Sequence, residues 1–314
     1  MRNLAFALLR YSGLPFLLRQ ITQKNKVTIV VYHAPPAALA RAHFAALQRR
    51  YHIIALADYL KARTEGTFDR LPSRPLIITL DDGHQSNFEL APVLDELKIP
   101  VTIFLCSGIV GTHRHFWWRH TQGSQEAEAC KKMTDSERLR FLLYKGYRTD
   151  QEYADRQALS RDEIEQLKPR VDFQAHTVHH PILPNCEDAA AEREISDCKT
   201  VLEKDFQLQI NALAYPNGDY SPRDMQCARQ AGYRCALTLE PGFNTGSTEL
   251  FELKRIPLQD DGSISELLVK TSGLWAMLSR RATGKVLPIA SLPHAPSAAE
   301  NAVPSLRASE SPKF

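Results

Sequence analysis

Three short stretches of this chain carry side chains suited to chemistry, and each follows an apolar run of the kind that forms a buried strand. The first is Thr79-Leu80-Asp81-Asp82-Gly83, with two adjacent carboxylates where a strand gives way to a turn. Functional residues of α/β folds gather at strand carboxyl ends, so the location suits acid–base or metal chemistry; taken alone, Asp-Gly is also an ordinary turn pair. The second is His176-Thr177-Val178-His179-His180-Pro181, with three histidines inside five residues. Core packing hardly explains that pattern; it reads as a solvent-facing loop or as a set of metal ligands, imidazole being the commonest among side chains. His176 and His180, joined by a short turn, can bind one face of a divalent ion. Two His and one Asp, with positions left for water, make a hydrolytic metal centre. The third stretch is Ala214-Tyr215-Pro216-Asn217-Gly218. It reads either as a tight turn or as a loop that presents a backbone N–H to an oxyanion, as acyl transfer requires.

In order and spacing the three stretches together resemble the motifs of the polysaccharide deacetylase, or NodB-homology, family of carbohydrate esterases. T-L-D-D-G at 79–83, H-T-V-H-H-P at 176–181 and A-Y-P-N-G at 214–218 stand where that family has T-F-D-D-G, H-[ST]-x-x-H-P and R-x-P-[YN]-G. Pro181-Ile182-Leu183, Leu202-Glu203, Ala231-Gly232-Tyr233 and Lys254-Arg255-Ile256-Pro257 also look familial, so the resemblance covers about residues 27 to 270. It implies a distorted (β/α) barrel of about seven or eight units with its site at the strand C-termini. It further implies that Asp81 is the catalytic base and that Asp82, His176 and His180 hold a divalent metal: zinc, or nickel or cobalt. The backbone N–H of Asn217 would serve the oxyanion, and Tyr215 and Pro216 would meet the substrate. His179 falls at a variable position and receives no role.

The chain departs from that family in two places. The third motif normally opens with an arginine that holds the catalytic aspartate, and here Ala214 stands there. Arg255 is either its substitute or one half of a surface ion pair. The family's last motif normally supplies a histidine as general acid, but after His180 the only histidine is His294, near the end of the chain. Val30-Val31-Tyr32-His33 instead puts a histidine at the end of the first expected strand. Some family members are circularly permuted so that this strand opens the domain, which would make His33 the acid; the alternative is a satisfied strand-end histidine. His84, just after the Asp-Asp-Gly turn, is its nearest rival.

The elements that must position these groups are legible as apolar runs. Residues 27–32, 76–80, 101–105, 171–175, 212–215 and 236–239 read as buried strands. Helical patterns lie between them at 88–97, 189–202 and 223–231; Ile195, Cys198, Val201 and Leu202 fall on one helical face. Strands alternating with helices predict α/β architecture around a mostly parallel sheet. Residues 107–159 break the rhythm and read as an insertion over one end of the sheet, with a charged helical stretch around 135–144. Residues 287–314, rich in Pro, Ser and Ala, read as a disordered tail.

Composition narrows the partners. The 39 basic and 36 acidic residues are spread through the chain without a basic run, which argues against nucleic acid. None of the six cysteines forms a C-x-x-C pair, so they read as buried thiols, with a reducing compartment preferred. Residues 1–21 are apolar but carry Arg10 and Arg19, too interrupted for a transmembrane helix and without a cleavage site. They read as a basic amphipathic helix on a membrane surface or as a helix packed on the domain. The expected plan is an amphipathic segment over 1–25, a deacetylase-like domain over 26–275 and the tail. The chain would be cytoplasmic or peripheral at the inner membrane. The expected activity is metal-dependent N-deacetylation of an amino sugar in a polysaccharide or lipid-linked glycan of the cell envelope. A deformylase of a lipid-linked amino sugar and an inactive carbohydrate-binding relic of the fold are the alternatives.

Overall fold

The β-branched and aliphatic runs form eight strands: β1 (Thr28–Tyr32), β2 (His52–Ile53), β3 (Pro75–Leu80), β4 (Val101–Leu105), β5 (Val171–Ala175), β6 (Ala212–Ala214), β7 (Cys235–Leu237) and β8 (Ile256–Pro257). They make one parallel sheet in the order β7-β6-β5-β4-β3-β1-β8, with β2 set against the start of β3. Leu237 of β7 bridges Leu253, just before β8, so the curled sheet's two ends meet. This is the distorted (β/α) barrel that the motif resemblance implied. The structure is a computed structural model and describes residues 2–283; the tail expected over 287–314 lies outside them.

Strand side chains alternate between two faces, and both faces are apolar here. Ile29, Ile77, Phe104, Ala212, Ala214, Leu237 and Leu253 form one buried cluster inside the barrel. Val30, Ile78, Ile103, Phe173 and Leu213 join the larger cluster beneath the helices. Burial on both faces is why the strands read as unbroken apolar runs.

Two helices precede the barrel, α1 (Arg2–Tyr11) and α2 (Leu14–Thr22). The outer layer holds α3 (Ala37–Gln48) and, further on, α5 (Ala91–Leu97), while α4 (Leu56–Thr64) packs Leu56, Tyr59 and Leu60 into the interior cluster. The expected helix over 88–97 is α-helical only from Ala91, after a 3-10 turn over Gln85–Leu90; Pro92 has no N–H to bond back to residue 88. The insertion contributes α6 (Gly123–Cys130) and α7 (Asp135–Tyr144). The second starts at a capping box of Thr134 and Glu137. Trp117, Ala127, Cys130, Leu142 and Tyr147 of the insertion close a satellite core with Ile182. After it come α8 (Arg161–Leu167), α9 (Asp188–Asp205), α10 (Pro222–Gln230), α11 (Ile264–Thr271) and α12 (Leu274–Thr283).

The N-terminal segment is two helices, broken at Gly13 (φ 80°). Phe6 packs with Val269 and Leu274, so this segment docks on α11 and α12. Among the described residues no helix is long and apolar enough to cross a membrane. All six cysteines are free thiols.

Phe104 fills the barrel interior with no exposed surface. Phe104→Ala is expected to cost about 3–5 kcal/mol, measured as a lower urea midpoint at unchanged m-value.

Candidate active site

Each motif side chain is placed by continuing a strand pairing past the strand's end. Asp81 N–H donates to the Tyr32 carbonyl at 2.9 Å, so β3 stays in register with β1 up to the first carboxylate. The chain then turns through two left-handed residues, Asp82 (φ 73°) and Gly83 (φ 67°). A Cβ at 83 would stand 2.5 Å from Leu105 Cδ2, so glycine is required on both counts. The β4–β5 ladder is extended in the same way. His176 N–H donates to Leu105 O (2.8 Å), Ser107 N–H to Thr177 O (3.1 Å) and Gly108 N–H to Val178 O (3.0 Å).

Asp82, His176 and His180 come together, all three buried. Asp82 Oδ1 stands 3.5 Å from Nε2 of both His176 and His180. That is too long for good hydrogen bonds but close to the edge of a tetrahedron around a zinc-like ion, about 3.4 Å for bonds of ~2.1 Å. His176 Nδ1 lies 2.7 Å from the Ala214 carbonyl; a carbonyl only accepts, so Nδ1 carries the proton and the Nε2 lone pair faces Asp82. Such a backing hydrogen bond is the usual support of a metal-binding imidazole. Burial first, and then the neighbouring His176, hold His180 well below the ordinary histidine pKa, leaving it as the neutral ligand form. The donor set therefore fits a divalent cation.

Asp81 is 2% exposed and does not face this task alone. Arg255 Nη1 donates to its Oδ1 at 2.7 Å and Nη2 to its Oδ2 at 2.8 Å. The arginine is wholly buried, which removes the reading of Arg255 as a surface ion pair. Its Nε donates to Thr238 O at 2.9 Å, and its guanidinium lies 5.6 Å from the Phe104 ring centroid. Burial by itself raises the Asp81 pKa, but Arg255 and then His176 outweigh it and hold the carboxyl below the usual carboxylate range. Ala214, at the arginine position of the third motif, belongs to the same interior cluster as Phe104.

His33 is half-buried at the end of β1. It lies close enough to interact electrostatically with both Asp81 and His180. Its backbone is pinned: the Asp260 carboxylate accepts from His33 N–H (3.1 Å) and Ala34 N–H (3.0 Å), and Asn87 Nδ2 donates to His33 O (2.8 Å). His84 is committed differently, with Nδ1 accepting from Ser86 N–H at 3.2 Å as the cap of a 3-10 turn. Asn217 adopts φ 56°, and its side-chain Nδ2 is buried without a hydrogen-bond partner. His294 lies outside the described residues.

Tyr215 requires a correction. Strand alternation turns its side chain away from the site into the helix-facing core. It has no exposed surface there, its hydroxyl donates to Phe251 O at 3.2 Å and its ring stacks on Tyr220. The Tyr215 side chain does not meet substrate; Pro216 is likewise buried, as the first residue of the turn that carries Asn217.

Several residues that hold the site had no spacing signal in the sequence. Glu194 of α9 grips the histidine turn: Oε2 accepts from Val178 N–H (2.9 Å) and His179 N–H (2.8 Å), and Oε1 pairs with His179 Nδ1 (2.8 Å). From the insertion, Trp117 Nε1 donates to His180 O at 3.0 Å, and the Trp118 ring meets the His180 ring edge-on at 4.6 Å. Asp260 belongs with them; its only mark was an Asp-Gly turn two residues on.

Two outcomes are expected of this geometry. Zinc titrated into the purified protein should bind at a single site, and His176→Ala should abolish that binding while far-UV circular dichroism stays unchanged. Arg255→Met should cost about 3–5 kcal/mol of stability, because it strands a buried carboxylate; adding Asp81→Asn should restore part of that loss in a double-mutant cycle.

Comparison with known proteins agrees with this architecture. The profile of the polysaccharide deacetylase family matches residues 69–236, a span that contains the three motifs but neither His33 nor Arg255. The Bacillus subtilis protein YxkH, which carries the family's name, is 23% identical over 192 residues, 60% of this chain and 54% of its own. A poly-β-1,6-N-acetyl-D-glucosamine N-deacetylase of Staphylococcus aureus is 22% identical over 209 residues, 66% of this chain and 61% of its own. The chain thus spans little more than half the length of these relatives. Among solved structures, IcaB of Ammonifex degensii superposes with TM-score 0.58 at 18% identity, covering 80% of this chain and 98% of its own. The Streptococcus pyogenes deacetylase PplD, in complex with acetate, superposes with TM-score 0.56 at 20% identity, covering 79% and 98%. The fold is shared with both, and with the profile matching more than half of its residues, this chain belongs to the polysaccharide deacetylase family.

Proposed function

We propose that this protein is a metal-dependent N-deacetylase that hydrolyses the acetamide of N-acetylglucosamine units in a glycan. The observation that carries the reading is the buried Asp81–Arg255 pair beside the Asp82, His176 and His180 cluster. An ionised carboxylate beside three candidate metal ligands at the strand carboxyl ends supports it. The Staphylococcus aureus relative's name supports a β-1,6-linked polymer as the first substrate to try.

Asp82, His176 and His180 would hold the divalent ion; zinc suits two imidazoles and a carboxylate, and nickel or cobalt are the other candidates. When bound, the ion supplies Lewis-acid polarisation and a water of lowered pKa. Asp81, held in place through both oxygens, accepts the proton of the attacking water. The backbone N–H of Asn217 donates to the oxyanion as it forms. His33 gives a proton to the departing nitrogen, since an amide nitrogen does not leave as an anion. In this reading β1 is the family's closing strand moved to the front of the domain, which explains why His33 precedes the matched span. The alternative of an inactive relic rested on the arginine missing at 214, and Arg255 supplies that contact from elsewhere in the chain.

The direct test is incubation of the zinc-loaded enzyme with oligomers of β-1,6-linked N-acetylglucosamine, with free amine and acetate both measured. Release of the two in equal amounts is the expected result, and metal-loaded protein that releases neither from this or from β-1,4-linked oligomers would sink the reading. His33→Ala should keep zinc binding yet lose on the order of 10²–10⁴ in kcat. Near-normal turnover in that variant, with collapse in His84→Ala, would move the acid to His84.

A further inference from the structure

The far end of the barrel carries a cluster of arginines that the chemistry above does not use. Arg19 of α2 is only 7% exposed, and its Nη1 has no hydrogen-bond partner; nor does Nε of Arg74, the residue that leads into β3. The charges of both bear on the buried Tyr51. Burial, and then the like charges of Arg19, Arg10 and Arg49, hold Arg50 below the usual guanidinium pKa. Among the described residues no carboxylate pairs with Arg19, Arg49, Arg50 or Arg74. Arg19 also hydrogen-bonds the Tyr51 hydroxyl, but a buried guanidinium with an unmade N–H, like charges nearby and no carboxylate partner is costly unless an anion completes it.

The surface beside this cluster is apolar. Seven of the ten exposed large hydrophobic side chains of the described residues lie on α1 and α2 or at their junction. On α1, Leu4, Leu8 and Tyr11 recur at one-face helical spacing; on α2, Phe16, Leu17 and Ile21 are at least half exposed. The opposite faces of both helices are already used, through Phe6, Leu9 and Leu18 against α11 and α12.

We propose that α1, α2 and the arginine cluster dock this protein on an anionic phospholipid bilayer, with a lipid phosphate seated against Arg19, Arg50 and Arg74. A soluble phosphate would satisfy the arginines but leave the apolar faces in water. A second copy of the chain would cover the apolar faces but, through a two-fold contact, bring the same arginines against one another. An anionic bilayer meets both demands, with acyl chains beneath charged headgroups. Arg74 precedes β3 and Asp81 follows it, so the lipid phosphate and the carboxylate pair lie at opposite ends of a strand roughly 20 Å long.

Flotation of the full chain with vesicles tests this. Vesicles of phosphatidylcholine containing about a quarter phosphatidylglycerol should carry the protein upward, and phosphatidylcholine alone should carry much less. Arg50→Gln should weaken binding about fivefold, the worth of one cation at a charged surface; Arg19→Gln should weaken it at least as much. Leu8→Asp with Phe16→Asp should abolish flotation without moving the thermal midpoint, since both side chains are exposed. Absence of flotation with either vesicle overturns the proposal, as does equal binding to both with the arginine variants unaffected. Thermal stabilisation by inorganic phosphate without vesicle binding would overturn it in favour of a soluble anion. Sedimentation as a dimer that Leu8→Asp with Phe16→Asp dissolves would overturn it in favour of a second copy.

Discussion

The buried pair of Asp81 and Arg255 is the constraint around which the site is arranged. A carboxylate with 2% exposure is expensive to keep ionised, and only a partner in good geometry makes it tolerable. At an effective dielectric of ~20, attraction across ~4 Å is worth about 4 kcal/mol, similar to the several kcal/mol of desolvation each ion suffers. The pair therefore stands near balance as a stabilising element. Its effect is on charge state and aim: two hydrogen bonds at 2.7 and 2.8 Å leave the carboxylate little rotational freedom. Because β1 lies between β3 and β8, the pair also ties the two strands that flank β1, and with them the strand end that carries His33.

Backbone strain gathers in the same place. Asp82, Thr177, His180 and Asn217 all have φ between 55° and 73°, and for a β-branched residue such as Thr177 that region is a genuine outlier. Each such residue costs of order 1–3 kcal/mol and persists only when its surroundings over-determine it. The surroundings here do so: Glu194 grips the histidine turn from α9, Trp117 holds the His180 carbonyl from the insertion, and the loop after β4 pairs with residues 177 and 178. The insertion is thus part of the site's framework as well as its wall.

The two ends of the barrel divide the work. Strand carboxyl ends collect acids, imidazoles and turns with left-handed backbone; the opposite end collects arginines that, among the described residues, have no carboxylate partner, beside an apolar helical face. Parallel strands make this division natural, since every β-to-α loop emerges at one end and every return at the other.

Much of this was legible in the sequence because it is local. Apolar runs revealed the strands, since burial on both faces demands them, and the motif resemblance pointed to Asp82, His176 and His180, which the strand ends bring into one buried cluster. Three things needed the tertiary structure. The choice between Arg255 as site arginine and as surface residue depended on whether a segment 174 residues from Asp81 returns to the same point of the barrel, which no local pattern encodes. The orientation of Tyr215 depended on strand parity: with Ala214 facing inward, its neighbour had to face the helices, and motif position alone did not register that. Glu194, Trp117 and Asp260 act through backbone groups of distant loops, and a hydrogen bond to a backbone N–H or carbonyl leaves no mark on the identity of its partner. Sequence by itself determined which residues could do the chemistry; the fold decided which of them are held, and by what.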